Sequence, residues 1–328
     1  MRLIAVTRIR NDEDIVEAFV QHHAGLVDHH IFLDNGSNGP TVQMLADLKA
    51  AGYPLSLFRA PTPLFAETAQ NTFLLHRAAD LGADWVAYLD CDEFADERML
   101  GTTLRAHLAA VPTNLLGLSV NLRNYVPTAE DDAAEPIVPK RLCFRDPAPV
   151  EQPKVIVRGM LGRLGATVER GNHSATLHGQ PVPMRAEPGL VLAHYPSRSG
   201  WQMLVKALVG RLKVLAAGPD EEARGTSVHY SGVLDFLRNH PEVLLQDRGY
   251  LEGRWSGDWV PPGLIRDPIL YQGGALRLTG SSDSAAEAVR SLIGFLEDLA
   301  REHGRTIAQV PEARALALAG ATAFEPVF

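Results

Sequence analysis

An α/β fold built on a mainly parallel sheet with helices on both faces is what this 328-residue chain predicts. Three observations point to it. Residues 3–94 alternate short apolar runs with helix-periodic stretches over brief connections, the pattern of successive β-α units. The apolar run 85–89 stops abruptly at Asp90, Asp92 and Glu93, as a buried strand does when its end emerges into a site. A composition of 46% hydrophobic and 21% charged residues supplies core for both faces of such a sheet and stays in the soluble globular range.

Taken in order, residues 3–7 read as the first strand. Asn11 or Asp12 can cap the helix that follows, whose apolar positions Ile15, Phe19, His23 and Leu26 recur at three- and four-residue steps. Residues 30–33 form the second strand and run into a turn-rich segment, 34–40; Val42, Leu45 and Leu48 continue as a helix ending near Gly52. The third strand, 55–59, is closed by Pro61 and Pro63. A helix over 67–81 then turns Phe73, Leu74, Ala78 and Leu81 inward and ends at Gly82, before the fourth strand and its acids. The repeat delivers residues 8–11, 34–37 and 90–92 to one sheet edge, the carboxyl edge at which open α/β sheets bind ligands.

Beyond Phe94 the pattern loosens. It gives a short helix at 104–110, an alternating strand at 116–120, an exposed acidic loop at 130–136, a strand at 154–158, and polar turns from 171 to 179. A further apolar run, 191–193, ends in His194. Residues 201–216 make a basic amphipathic helix with Lys206, Arg211 and Lys213. Residues 283–303 make a strong C-terminal helix, with Val289, Leu292, Ile293, Leu296 and Leu299 inward. Residues 1–215 are expected to form one domain, with 216–328 a mainly helical extension packed on it.

Charge and cysteine usage narrow the function classes. A formal net charge of -8 argues against nucleic acid or broad anionic-membrane binding. No stretch approaches the roughly 18 apolar residues of a membrane span, and the apolar run near the start is too short for a signal-peptide core. Cys91 and Cys143 have no metal-type spacing, so a reducing, cytoplasmic setting is expected, with Cys91 packed. The adjacent pairs His22-His23 and His29-His30 point different ways and read as packed or exposed residues rather than ligand pairs. Asp90 and Asp92, at alternate positions, can face one point, and two hard oxygens there suit Mg2+ or Mn2+; the alternative is a solvated acidic turn.

An ordered set of segments resembles one family. These are Thr7-Arg8-Ile9-Arg10-Asn11-Asp12-Glu13, His30-Ile31-Phe32-Leu33-Asp34-Asn35-Gly36-Ser37, Gln70-Asn71, the run from 85 through Asp90-Cys91-Asp92-Glu93-Phe94, Lys154-Val155-Ile156-Val157-Arg158, Gly171-Asn172-His173, and His194-Tyr195-Pro196-Ser197-Arg198-Ser199. Together they cover roughly residues 3–210 and resemble the nucleotide-sugar glycosyltransferases of the GT-A fold, in the family-2-like and family-92-like branch.

The resemblance implies a Rossmann-like, mainly parallel sheet and an irregular acceptor-side region. It also implies a D-x-D motif that holds Mn2+ or Mg2+ against the diphosphate of a UDP-sugar. On that reading Asp92 coordinates the cation and carries the catalytic charge, while Asp90 serves the cation or the ribose. His194 is a further metal ligand, with His173 as the alternative. Thr7, Arg8, Asn11, Asp34, Asn35, Gln70 and Asn71 line the nucleotide side, where the Asp34 carboxylate can accept the uracil imide proton. Arg198 and Lys206 neutralise the diphosphate. No Glu-Asp pair between residues 95 and 215 is placed as the base, since Glu130-Asp131 falls in the loop read as exposed; this leaves Glu169 and Glu151 as candidates and inversion or retention open.

The expected activity is transfer of a hexose from a UDP-sugar to a saccharide or glycan-precursor acceptor. Two other readings remain at this point: a divalent-metal phosphohydrolase or nucleotidyltransferase, and a non-catalytic nucleotide-sugar- or carbohydrate-binding module. The basic helix 201–216 reads as a solvated amphipathic face, with an anionic acceptor, a peripheral membrane contact or a partner as alternatives.

Overall fold

The computed structural model describes residues 1–128, 130–225, 230–231, 234–235, 239, 263–278 and 284–315. The expected extension beyond 215 therefore lies partly outside the described residues.

The first half alternates as expected: β1 (Leu3–Ile9), α1 (Val16–His23), β2 (His29–Asp34), α2 (Thr41–Ala50), β3 (Leu55–Arg59), α3 (Glu67–Asp80) and β4 (Trp85–Tyr88). The irregular half begins with β5 (Glu93–Asp96), α4 (Leu104–Ala110), β6 (Gly117–Val126), α5 (Val138–Arg141), β7 (Phe144–Arg145), β8 (Lys154–Arg158) and α6 (Met160–Arg163). It continues with the small strands β9 (Thr167–Val168), β10 (Ala175–Leu177) and β11 (Gln180–Pro181), the long β12 (Arg185–His194), α7 (Gly200–Ala216), α8 (Pro219–Ala223) and β13 (Ile265–Arg266). The last described helix is α9 (Ala285–Gln309).

The main sheet runs β3-β2-β1-β4-β8-β6-β7-β13, with β12 and β5 joined beside β6. Strands β1 to β4 are mutually parallel, β8 is antiparallel to both of its neighbours, and β12 runs parallel to β6. This is the α/β, Rossmann-like architecture the sequence predicts. Its purely parallel part is confined to the first four strands.

Strand β1 shows why the order of residues produces this sheet. Leu3, Ala5 and Ile9 enter one apolar core, and the alternating Ile4 and Val6 enter a second. Side chains at odd and even positions leave a strand on opposite faces, so a strand covered on both sides reads as an unbroken apolar run. Trp85 with Ala87, and Val86 with Tyr88, repeat the split on β4.

Two helices present a different face from the one their apolar residues suggest. Phe73 of α3 and Leu81 just past its end are exposed, while Gln70 and Asn71 are buried. In α9, Val289, Ile293 and Leu296 are 51–52% exposed, and Ala288, Ser291 and Phe295 turn inward. A small face is required there because α9 lies close on the loops after β1 and β2. Asn38 Nδ2 donates to the Arg290 carbonyl at 2.8 Å, and a side chain at Gly294 would sit 2.1 Å from that same amide.

His22, His23 and His30 are packed, and His29 is half-buried beside Ser56 (2.8 Å). His23 Nδ1 bonds the Phe19 carbonyl at 2.8 Å and accepts the Ala95 amide at Nε2 (3.2 Å). His30 stacks on Phe32 at 4.3 Å and bonds the Thr7 hydroxyl at 2.8 Å. Burial pushes the His23 imidazole well below its ordinary range and His30 down to about 3. A depressed imidazole favours the unprotonated folded state, so its contribution is complete above about pH 6.5 and declines as pH falls below that value. His30 alone is expected to cost roughly 1–2 kcal/mol by pH 5. Denaturant unfolding from pH 7.5 to 5, followed alongside the histidine ring resonances, checks this. Titration of these rings in the native protein near pH 6.5 would contradict it.

Candidate active site

The carboxyl ends of β1, β2, β4, β6 and β12 meet at one edge of the sheet. A cavity of about 930 Å3 opens there. Parallel pairing of β12 with β6 sets His194 beside Asn124, and antiparallel pairing with β5 sets it opposite Glu93. The Tyr195 N–H donates to the Asp92 carbonyl at 2.8 Å and pins the acidic turn to the end of β12. Register thus brings residues a hundred positions apart in sequence to one point.

The three acids divide their partners. Asp90 is paired with Lys154 and accepts from Asn172 Nδ2 at 3.2 Å. Burial raises its carboxyl, but Lys154 and Arg8 outweigh that and leave it below the ordinary range. Asp92 Oδ2 accepts from Lys206 Nζ at 2.8 Å and faces Arg198 at 3.6 Å. Burial again opposes ionisation, and Lys206, His194 and Arg198 together keep Asp92 strongly acidic. Glu93 is fully buried, with Lys154 Nζ at 3.1 Å and the Asp90 N–H at 3.0 Å; burial pushes it upward.

His194 is oriented for ligation. Its Nδ1 lies 2.7 Å from the Asn124 side-chain oxygen, an acceptor, so the ring proton sits on Nδ1 and Nε2 carries a lone pair. Nε2 faces Asp92 Oδ1 at 3.6 Å, too far for a hydrogen bond. Burial lowers the imidazole to about 4 despite the nearby Asp92, so the ring is neutral at pH 7. Among the described residues, Asp92, Glu93 and His194 form a donor group whose ligand atoms all lie within 4.8 Å of one another. Two carboxylates and an imidazole fit a divalent cation, with the nitrogen favouring Mn2+ over Mg2+. If Asn124 sets the imidazole, Asn124→Leu should weaken Mn2+ binding roughly 10- to 100-fold, read by calorimetric titration. Unchanged affinity would contradict that role.

The sequence-predicted residues sort into two groups. Arg8, Asn11, Asn35, Asp90, Asp92, His194, Arg198 and Lys206 line the cavity, as does His173. Thr7, Asp34, Gln70, Asn71 and Glu169 are not among the lining residues. Asp34 is fully buried, held by Arg59 Nε at 2.9 Å and by the Ser37 N–H at 2.8 Å, so it shapes the loop beneath the site. Thr7 is turned to His30. Asn71 Nδ2 donates to the Glu169 carbonyl at 2.9 Å, which ties that segment to α3 by its backbone.

Arg198 is placed at the cavity but is already committed. Its guanidinium is 2% exposed and pairs with Asp14 at 2.6 Å and Asp12 at 3.3 Å besides Asp92. Asp12 is pushed up to about 7 by burial, with Arg198 opposing and Asp92 and Asp14 adding to the rise. Asn11 adopts a left-handed φ of 53°, which asparagine tolerates better than most residues. Its backbone N–H donates to Ser37 Oγ at 2.9 Å, and its side chain bonds Ser291 of α9.

Sequence reasoning missed Lys154 as the partner of Asp90, Glu93 as a third donor, and Arg10 and Lys213 as lining cations. Lys154 and Lys213 were visible only as charges at the start of a strand and along a basic helix. Asn124, eight positions into β6, carried no local signal.

No family model matches this chain, and no curated protein matches it. Among solved structures, 110 chains match. S. aureus TarS 1-349 is 11% identical over 78% of this chain and 77% of its own, with a TM-score of 0.36. The mannosyltransferase PcManGT from Pyrobaculum calidifontis, in complex with GDP-Man and Mn2+, is 14% identical over 98% of this chain and 79% of its own, with a TM-score of 0.35. Glucosyl-3-phosphoglycerate synthase from Mycobacterium tuberculosis, in complex with Mn2+, UDP and glucosyl-3-phosphoglycerate, is 13% identical over 76% and 82%, with a TM-score of 0.30. At these scores the likenesses decide nothing about chemistry, and function is read from the site itself.

Proposed function

We propose that this chain is a metal-dependent glycosyltransferase that moves a hexose from a UDP-sugar to a hydroxyl of a saccharide or glycan-precursor acceptor. One observation supports it above the rest. A carboxylate-imidazole donor group shares one cavity at the carboxyl edge of the sheet with several cations, of which Arg10 and Lys213 have no carboxylate paired with them among the described residues. A diphosphate ester needs both when its bond to the sugar breaks and negative charge builds on the departing phosphate.

Asp92, Glu93 and His194 would hold Mn2+ or Mg2+, which when bound supplies positive charge beside the leaving diphosphate. The chain's own residues prepare that place. Lys206 fixes one oxygen of Asp92 and leaves the other toward His194. Lys154 bridges Asp90 and Glu93 and keeps two buried carboxylates compatible. Arg8, clamped by Glu67 at 2.9 Å, and Arg10 extend the positive field along the floor.

Free Cys91 and Cys143 accord with a reducing, cytoplasmic setting, and no described helix is long and apolar enough to cross a membrane. The test is a donor panel of UDP- and GDP-hexoses assayed for nucleotide release with a mixture of saccharide acceptors and Mn2+. Release of UDP with a glycosylated product is expected. Release of inorganic phosphate from simple phosphoesters, with no sugar transferred, would overturn the proposal in favour of a hydrolase.

A further inference from the structure

Within the cavity, two cations, Arg10 and Lys213, share one neutral partner, Asn35. Arg10, just past β1, donates from Nη1 to the Asn35 carbonyl at 2.7 Å. In the orientation that satisfies its neighbours, the Asn35 amide oxygen accepts from Lys213 Nζ at 2.6 Å and its nitrogen donates to the Ala60 carbonyl at 3.3 Å. Arg10 Nε and Nη2 are buried without a hydrogen-bond partner, and the guanidinium rests 4.9 Å from the ring centroid of Phe295 on α9.

Most of the surrounding negative charge is engaged elsewhere, while Asp298 and Asp34 also act on Arg10. The groups facing Lys213 are Arg8 and Arg10 from β1, Glu67 from α3 and Asp34 at the end of β2. Glu67 is engaged by Arg8 at 2.9 Å, and Asp34 by Arg59 at 2.9 Å. From α9, Glu287 lines the cavity, and Asp298 lies 3.6 Å from the position a side chain would take at Gly36, with Arg301 at 3.8 Å. Among the described residues no carboxylate pairs with Lys213. An ammonium largely withdrawn from water and acted on by two guanidinium groups is costly in that setting, and it is relieved either by losing its proton or by gaining an anion.

We propose that Arg10 and Lys213, joined through Asn35, form an anion-binding corner in which Lys213 is uncharged until a phosphate-type anion arrives, and takes up one proton as that anion binds. The identity of the anion as the donor's diphosphate rests on the glycosyltransferase reading; the coupling to a proton does not. The proton comes from solvent and goes to Nζ, with no covalent step. Burial lowers Lys213 to about 7, so the coupling operates in the physiological range. The affinity for a fully ionised ligand should be flat below about pH 7 and fall roughly tenfold per unit above it, until the charged form is no longer favoured even with the anion in place.

The experiment is calorimetric titration of UDP with Mg2+ at pH 8, where the terminal phosphate is fully ionised, in buffers of different ionisation enthalpy. Wild type is compared with Lys213→Met and Lys213→Arg. Protons exchanged at the carboxylates and His194 are common to all three and cancel in the differences. Wild type is expected to take up about one proton more than either variant. Lys213→Arg should bind at least as tightly as wild type at pH 8.5 and lose the pH dependence, an effect that damage to the fold would not produce. Equal proton uptake in all three proteins would overturn the proposal. Inorganic pyrophosphate serves as the control. If it binds with Lys213-dependent uptake while UDP does not bind, the nucleotide reading fails and the anion corner stands. If neither binds, both fail.

Discussion

Asp92→Asn is expected to lower sugar-nucleotide turnover roughly 100- to 1,000-fold while leaving the fold in place. The size follows from what this carboxylate touches. Its Oδ1 faces the lone pair of His194, and its Oδ2 holds Lys206. An amide keeps the shape of the group but removes the charge that a cation would need and turns an N–H toward one of those partners. The fold should tolerate this, because Lys206 retains the Pro196 carbonyl at 3.3 Å and Arg198 retains Asp14 and Asp12. The loss should fall mainly on kcat if Asp92 acts through charge that develops as the bond breaks. Steady-state rates with a UDP-hexose donor, alongside thermal unfolding of the same variant, make the comparison. Turnover within threefold of wild type would remove Asp92 from the chemistry.

Arg198→Met carries the largest expected effect on stability. The guanidinium is enclosed by the carboxylates of Asp12, Asp14 and Asp92 and is 2% exposed. Deleting one member of such a cluster leaves like charges facing one another away from water, a loss of about 3–5 kcal/mol. The pH dependence has a definite sign. Asp12 titrates at about 7 with Arg198 pulling it down, so without the arginine it rises further. Below its folded value Asp12 is neutral and needs no counter-charge. The deficit should therefore be larger at pH 8 than at pH 5, as unfolding in urea at both values would show. A deficit under 1 kcal/mol, or one that grows on acidification, would mean that water rather than Arg198 compensates these carboxylates.

How much of this was legible in the sequence depended on whether a residue's role is set locally. The apolar runs of β1, β2 and β4, the turns after them and the acids at 90–93 are local features, and these three strands are buried on both faces, so pattern and structure coincide there; β3 is an edge strand with Phe58 and Arg59 exposed. The convergence of three loops on one edge followed from the handedness and order of β-α units. Asp92 and His194 could be named, because each ends an apolar run. Glu93 and Asn124 could not, since their roles come from the register of β5, β6 and β12, fixed by pairing across distant sequence. The resemblance sets Asp34 toward the nucleobase, a role that pattern alone could not weigh against the ion pair its carboxylate makes with Arg59 across the β2–β3 pair. The inward face of α9 went the same way. The helix settles its small residues on Asn11 and Asn38 and leaves its apolar stripe exposed, a choice made by the partner surface rather than by periodicity.

The most direct measurement of the central claim is calorimetric titration of UDP into the wild-type protein and Asp92→Asn, each with Mn2+ and after chelation of divalent ions. The site described here predicts UDP binding in the wild type that strengthens at least tenfold with Mn2+, and little or no gain from the metal in the variant. UDP binding of equal strength with and without Mn2+, or the same metal-dependent gain in both proteins, would contradict a metal-diphosphate site built on Asp92.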